Sequence, residues 1–490
     1  MRYSSPEKAG ISSESIQKYI ELLEKKRLAS HSLIIAKGDS IVFEQYWKPF
    51  DKDFLHRMYS VSKSFVSIAI GFLEQDGVLS LDDPMEKYFA KELKNQPDEN
   101  MHKQTVRDML QMSTAKPCRY WFDCRPKDRV AHYFENDLEE TRPAGTIYKY
   151  DSGGSFVLCA LAERLTGKPL MTYLREKLFD KIGVSEEAYC LKCPGGHSWA
   201  DSGILCKSTD LLKVARFVMN KGKWNGEQLL NEDYVTRATS CAVFNNYWDI
   251  EDYNAQGYGY QFWGMYKDAF AFVGMGTQIA VCVPEKDLIL VYTSDNQGRE
   301  SARAFVVDQF FDCIVNTASD IELPPNEAAL AKLQKGAQSA KLIAASGAES
   351  AAFEQEINGV TYKLNKNPMG MKWLRLSFDN QGGTFEYENA QGEKKIPFGR
   401  CKNVFCAFPQ EGYSDEIGTV PTGGMYYKCA SSAAWVEPKK LYIKVQIIDK
   451  YFGNLGITLG FKDDVCGVYM NKSAEDFLKE YQGFAGGKRV

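Results

Sequence analysis

The chain has 490 residues, 44% of them hydrophobic and 25% charged, with a formal net charge of −4. This is enough apolar material for a large core and enough length for more than one domain. Both signs of charge are interspersed, no basic block or basic-aromatic stripe occurs, and the longest apolar stretches are too short to cross a bilayer, so neither a nucleic-acid nor a membrane partner is expected.

Thirteen scattered cysteines, an odd number, point to a reducing compartment rather than a disulfide framework. The N-terminus, Met1-Arg2-Tyr3-Ser4-Ser5-Pro6, has no signal-peptide core, so a cytoplasmic protein is expected.

The pattern predicts a helix from about Ser12 to Lys26. A hairpin follows, with strands Leu33 to Ala36 and Ile41 to Trp47 turned at Lys37-Gly38-Asp39. Next comes Ser60-Val61-Ser62-Lys63, which opens the apolar run Phe65 to Leu73. Residues three apart share a helix face, so the Lys63 amine can reach the Ser60 hydroxyl, and the helix N-terminus favours an oxyanion beside it. This is a way to build a nucleophile without histidine. The same spacing recurs at Ser5/Lys8, Ser15/Lys18 and Ser113/Lys116, but only Ser60 precedes a run able to form a buried central helix.

Pro143 to Ser152 joins a turn signal to a short aromatic strand, followed by Gly153-Gly154 and a helical pattern from Phe156 to Ala162. Tyr150 and Ser152, two apart, can point into one cleft. Tyr150, near the Lys63 cation, is then the candidate base that activates Ser60. Tyr-x-Ser/Asn also occurs at Tyr3, Tyr292, Tyr387 and Tyr469. Further on, Phe272-Val273-Gly274-Met275-Gly276-Thr277-Gln278 precedes the strand Ile279 to Pro284, and its small residues let a ligand approach the backbone.

The order of these elements resembles the serine β-lactamase and penicillin-binding-protein superfamily, and within it the class C β-lactamase and family VIII carboxylesterase branch. The resemblance covers roughly two thirds of the chain. It rests on Ser5 to Ile11, Tyr59 to Phe65, Gly77 to Pro84, Thr105 to Leu110, Pro143 to Ser152 and Asn220 to Gly226, which run in family order. It implies an α+β β-lactamase/transpeptidase-like domain, an antiparallel sheet with a helical subdomain from about Ser60 to Asn220.

The resemblance also implies roles. Ser60 is the acylated nucleophile, Lys63 its electrostatic and proton-shuttling partner, and Tyr150 the base in acylation and the acid toward the leaving group. Ser152 falls where the family often has a carbonyl-binding asparagine. Gly274, Met275 and Gly276 stand in for the family's Lys-Thr-Gly or His-x-Gly, where a strand N–H completes an oxyanion hole with that of Ser60. The usual cation or histidine is replaced here by methionine, which argues against a carboxylate-bearing antibiotic as substrate. Ser294-Asp295-Asn296 spells another family motif out of order and reads as a polar turn ending the strand Leu288 to Tyr292.

Five histidines and no Gly-x-Ser-x-Gly elbow leave a Ser-His-Asp hydrolase without its signature, and His56 reads as a packing residue. Cys190, Cys193, His197 and Cys206 can be drawn as a zinc set, but the spacing is irregular and buried or loop thiols are expected instead, with no metal or other cofactor. The segment between Cys118 and Cys124, Arg119-Tyr120-Trp121-Phe122-Asp123, either lines an apolar acyl pocket or packs as a surface loop.

Three segments are expected. Residues 1–320 form the hydrolase-like domain, with strands from Gly257 to Tyr292 and a closing helix near Arg303 to Val315. Residues 321–353, with Pro324-Pro325 and an Ala/Lys-rich stretch, form a linker with a helix. Residues 354–490 alternate with period two, as in Trp373 to Phe378, Thr384 to Glu388, Leu441 to Ile448 and Gly456 to Phe461, and form a small antiparallel β-domain, a sandwich or open barrel. That domain caps the cleft, pairs subunits as a homo-oligomer or binds a partner.

The reading is a serine hydrolase acting through an acyl-enzyme on Ser60, its partner a small-molecule ester or amide. D-amino-acid peptidase or penicillin-binding-type activity, acyl transfer, and a degenerate ligand-sensing protein are the alternatives.

Overall fold

The computed structural model describes residues 1–117, 128–135, 141–193, 195–245, 256–411, 424, 426–474 and 477–490. The chain divides into two compact units, the first holding Met1–Lys341 and the second beginning at Leu342.

In the first unit, helix α1 (Ser13–Lys25) starts where Ser12 accepts a hydrogen bond from Glu14 N, a side-chain N-cap. Its buried residues Ile16, Tyr19, Ile20 and Leu23 recur at helical spacing and give the helix its core-facing stripe. An eight-stranded sheet follows, made of β1 (Arg2–Tyr3), β2 (Ser30–Lys37), β3 (Ser40–Tyr46), β4 (Gly257–Tyr258), β5 (Trp263–Gly264), β6 (Phe270–Gly274), β7 (Gln278–Val283) and β8 (Leu288–Ser294), in the order β1-β3-β2-β8-β7-β6-β5-β4. Only β1 pairs in parallel; the other pairings are antiparallel, so N-terminal and late segments meet at β2–β8, where Ile35 lies opposite Leu290.

Alternate residues of β2, β7 and β8, among them Leu33, Ile35, Ile279, Val281, Leu288 and Leu290, share one core with α1 and with the helix Ser301–Phe310. The helix Glu327–Ser339 joins the same core through Leu333, so the helix expected in the linker lies within the first unit.

The inserted helical subdomain is centred on α2 (Ser62–Gln75), buried along Ser62–Leu73, and α3 (Ser152–Thr166), buried along Ser152–Ala162. Both are apolar nearly all round, the pattern of helices enclosed by others. α4 (Ser208–Met219) lies against β2, β7 and β8.

The sequence predicted a short aromatic strand before Gly153-Gly154. The structure has none there: α3 already begins at Ser152, because the Asp151 carboxylate caps it by accepting from Gly154 N at 3.0 Å. A Cβ at position 154 would sit 2.8 Å from Asp151 Oδ2, so glycine is what allows this cap.

In the second unit, ten strands run β9 (Thr361–Leu364), β10 (Trp373–Phe378), β11 (Gly382–Asn389), β12 (Gly392–Arg400), β13 (Val404–Ala407), β14 (Lys428–Glu437), β15 (Lys440–Ile448), β16 (Phe452–Lys462), β17 (Val465–Ala474) and β18 (Gly483–Arg489). Their order is β12-β11-β10-β9-β18-β17-β16-β15-β14-β13. A short parallel pairing of β12 with β14, Gly399 opposite Ser432 and Arg400 opposite Ala433, closes the ring into a barrel. The expected antiparallel β-domain is therefore a barrel, closed by that seam rather than open.

Candidate active site

Ser60 lies in a short 3-10 turn, Tyr59–Val61, that leads into α2. The residue before it, Tyr59, has φ 48, a left-handed conformation that a bulky residue adopts only when its surroundings hold it there. Lys63, one turn on and 1% exposed, donates from Nζ to Ser60 Oγ at 3.1 Å and to the Asp201 carbonyl at 2.6 Å. The same Nζ sits 5.2 Å from the centroid of the Tyr150 ring. The structure thus brings Ser60, Lys63 and Tyr150 together.

Tyr150 is fixed through its neighbour. The buried Asp151 carboxylate accepts from Thr114 Oγ1 at 3.1 Å and Tyr133 Oη at 3.0 Å as well as from the start of α3. On its other side the Tyr150 ring stacks on Trp263, centroids 5.9 Å apart, and the Arg303 guanidinium lies 5.1 Å from the Trp263 ring. Nearby Tyr258 packs edge-on against Trp263, and burial pushes its phenol well up, so it stays protonated and belongs to the wall. Ser152 is nine-tenths buried in the first turn of α3 and is not among the residues lining the cleft.

Gly274 ends β6 directly against the serine turn: a Cβ there would sit 2.4 Å from the Met58 carbonyl and 3.3 Å from Ser60 N. Met275, Gly276 and Thr277 make the turn to β7, with Gly276 at φ 76 and Thr277 at φ 71. A β-branched residue at such a φ needs support, and polar contacts supply it. Gln278 donates to the Met275 carbonyl at 2.8 Å and the Ser294 carbonyl at 2.7 Å. The Gly276 carbonyl accepts from Ser294 Oγ at 2.5 Å and Asn296 N at 3.0 Å.

A cleft of about 380 Å³ is lined by Ser60, Tyr150, Trp263, Gly274–Thr277 and Asn296–Arg303 residues including Arg299 and Arg303. Asn296 corrects the reading of Ser294-Asp295-Asn296 as a mere strand-ending turn, because the segment both buttresses the Gly276 turn and lines the cleft. The turn itself carries methionine, and the same cleft is also lined by Arg299, Glu300 and Arg303. Trp263 and Arg303 carry no local motif, whereas Asn296 belongs to the Ser294-Asp295-Asn296 triplet, and the Asp201 carbonyl, being backbone, has no residue-type signal at all.

Other sequence candidates resolve elsewhere. His197 pairs with Glu163 at 2.8 Å, and no metal-binding cluster of His, Cys, Asp or Glu occurs among the described residues. His56 is buried, its Nε2 2.8 Å from His31 Nδ1 and its Nδ1 2.9 Å from the Arg57 carbonyl, and burial pushes it down to about 3. The Cys118–Cys124 segment lies outside the described residues. Among those residues no helix is long and apolar enough to cross a membrane.

The Beta-lactamase family model matches residues 16–308. Among curated proteins, the 6-aminohexanoate-dimer hydrolase of Paenarthrobacter ureafaciens is 23% identical over 218 residues, which cover 42% of this chain and 55% of that protein. The chain thus spans about half the length of that relative. Among solved structures, the octameric penicillin-binding protein homologue from Pyrococcus abyssi matches with a TM-score of 0.50 at 15% identity, over 97% of this chain and 99% of its own. D-amino acid amidase from Ochrobactrum anthropi matches with a TM-score of 0.50 at 16% identity, over 62% of this chain and 99% of its own. These structural likenesses establish the fold.

Proposed function

The chain belongs to the Beta-lactamase family, and on that premise we propose that it is a serine hydrolase that forms an acyl-enzyme on Ser60 with a small ester or amide. The observation that carries this reading is the Lys63 amine 3.1 Å from Ser60 Oγ, beneath the Tyr150 ring and beside the Gly274 strand end.

In this reading the Tyr150 side-chain oxygen takes the Ser60 proton as Oγ attacks the substrate carbonyl carbon. Lys63, held by the Asp201 carbonyl, fixes the serine rotamer through its hydrogen bond to Oγ. The developing oxyanion lies between the Ser60 N–H and an N–H of the Gly274–Gly276 turn, both preorganised by backbone rather than by mobile side chains. Tyr150 returns the proton to the leaving alkoxide or amine, and water then releases the acid. Trp263 offers an apolar platform in the cleft wall, so a substrate with an apolar part suits this cleft.

Two further proposals follow. We assign self-association to the barrel, supported by the octameric relative whose likeness runs through both units. We also place the protein in the cytoplasm, in keeping with described cysteines that are all free thiols.

The test is a turnover panel of a p-nitrophenyl ester, the 6-aminohexanoate dimer and a D-amino-acid amide. Hydrolysis of at least one, lost in Ser60→Ala, is expected; hydrolysis that survives the substitution would refute the assignment.

A further inference from the structure

The Lys63 amine is oriented by a backbone carbonyl, that of Asp201, at 2.6 Å. A carbonyl in a loop has no rotamer of its own, so what holds the loop decides where the amine points. The segment Trp199–Ile204 is tied to the serine turn from three sides. Met58 N donates to the Ile204 carbonyl at 2.8 Å, and Ile204 N donates to Ser62 Oγ at 3.0 Å. The third tie is a side chain: Arg57 donates from Nε to the Ser202 carbonyl at 3.1 Å and from Nη2 to Ser202 Oγ at 3.2 Å.

Arg57 is fully buried, on the short strand His56–Arg57 that pairs antiparallel with Ile204–Cys206. Its guanidinium lies 4.4 Å from the centroid of the Tyr59 ring and 5.0 Å from that of Trp199. Tyr59 is the left-handed residue that presents Ser60, and Trp199 begins the segment that presents the Asp201 carbonyl. One planar cation therefore lies against the ring of the residue before Ser60 and bonds to the segment that presents the Asp201 carbonyl to Lys63. Lysine could not do this: a single ammonium has no flat face to stack on a ring and no fork to reach two acceptors on one residue.

We infer that Arg57 is a positioning residue for acylation, acting through Ser202 and the Asp201 carbonyl to hold the Lys63 amine on Ser60. The inference rests on the reading of Ser60 as nucleophile and Lys63 as its partner. Arg57 does not line the cleft, so its effect falls on the rate of the chemical step and not on substrate affinity.

The experiment measures the rate at which a fluorophosphonate labels Ser60, followed by intact mass, in the full chain. Arg57→Lys and Ser202→Ala are each compared in the native and the Lys63→Ala backgrounds, with thermal unfolding recorded alongside. In the native background Arg57→Lys is expected to slow labelling by about 10- to 100-fold, the scale of a sub-ångström to ångström misplacement of a reacting group. For p-nitrophenyl acetate the loss should appear in kcat/KM and in the rate of the pre-steady-state burst, both of which report acylation. With Lys63 already removed, the same substitution should change labelling by less than about twofold, because the group it positions is gone.

Equal fold losses in both backgrounds would overturn the inference and leave Arg57 a fold-stabilising residue, and so would an unchanged native rate. Should Arg57→Lys fail to fold, Ser202→Ala decides: it removes one of the two acceptors and is expected to slow labelling by about threefold only when Lys63 is present. A label that persists in Ser60→Ala would overturn the nucleophile assignment itself, and this inference with it.

Discussion

The two units of this protein spend their buried polar groups differently. In the barrel, polar side chains satisfy one another: Tyr387 and Tyr481 share a hydrogen bond at 2.8 Å, Tyr481 donates to Gln410 at 2.9 Å, and Arg400 grips Glu354 at 2.7 Å and 2.8 Å. The groups of that network bond to one another, even where Cys401 beside Arg400 stands at φ 49. In the first unit, a buried lysine donates to a serine that lines open space, and the residues around it, Tyr59 and Thr277, stand at positive φ. Groups aimed at a cleft and held by a backbone with no other reason for its strain are the mark of a site, whereas a closed network of similar residue types is architecture.

Substitutions on each side of that contrast should have different consequences. The largest effect should come from Tyr150→Phe, which removes one oxygen from the cleft. Acylation, followed as the pre-steady-state burst with a p-nitrophenyl ester, should fall by about 10²- to 10⁴-fold with the unfolding curve unchanged. Unchanged bursts would remove Tyr150 from the mechanism. Gly274→Ala should come next, because its Cβ would press on the Met58 carbonyl and push the strand end away from Ser60. A loss of about 100-fold in kcat is expected, the scale of a lost oxyanion donor.

On the barrel side, Tyr481→Phe should leave kcat untouched while lowering stability by about 1 to 2 kcal/mol in urea unfolding, since Tyr387 and Gln410 each lose a buried partner. A drop in kcat would mean that the second unit takes part in the chemistry. The smallest effect concerns pH. Burial keeps His56 neutral in the fold down to about 3, while the unfolded chain titrates near 6.5. Between those values the unfolded state binds the extra proton, so stability falls as the pH drops. The native protein should lose about 1 kcal/mol more than His56→Gln between pH 7.5 and 5.5, read from paired urea melts.

What could be read in the sequence follows the same divide. Ser60, Lys63 and Tyr150 were legible because two of them share one helical turn and the third precedes a helix with Gly-Gly in its first turn. Gly274 and Gly276 were legible because a strand that approaches another backbone closely needs small residues. Asp201 meets Lys63 through its carbonyl, and a backbone group leaves no residue-type signal for that contact. Trp263 and Arg303 come from a two-residue strand and from a helix whose other residues serve the core, so neither stands out from its neighbours.

The region after Tyr148 was misread as a strand because aromatic alternation was weighed without the Asp151 cap three residues before Gly154. In the barrel, period-two alternation identified the strands, but a sandwich and a barrel share that period. The seam that distinguishes them is only two residue pairs long, Gly399 with Ser432 and Arg400 with Ala433.

The most direct test of the central claim is intact-protein mass spectrometry after exposure to a fluorophosphonate, comparing the native chain with Ser60→Ala. A single adduct is expected on the native protein and none on the variant. Equal labelling of both, or no adduct on the native protein, would contradict that claim.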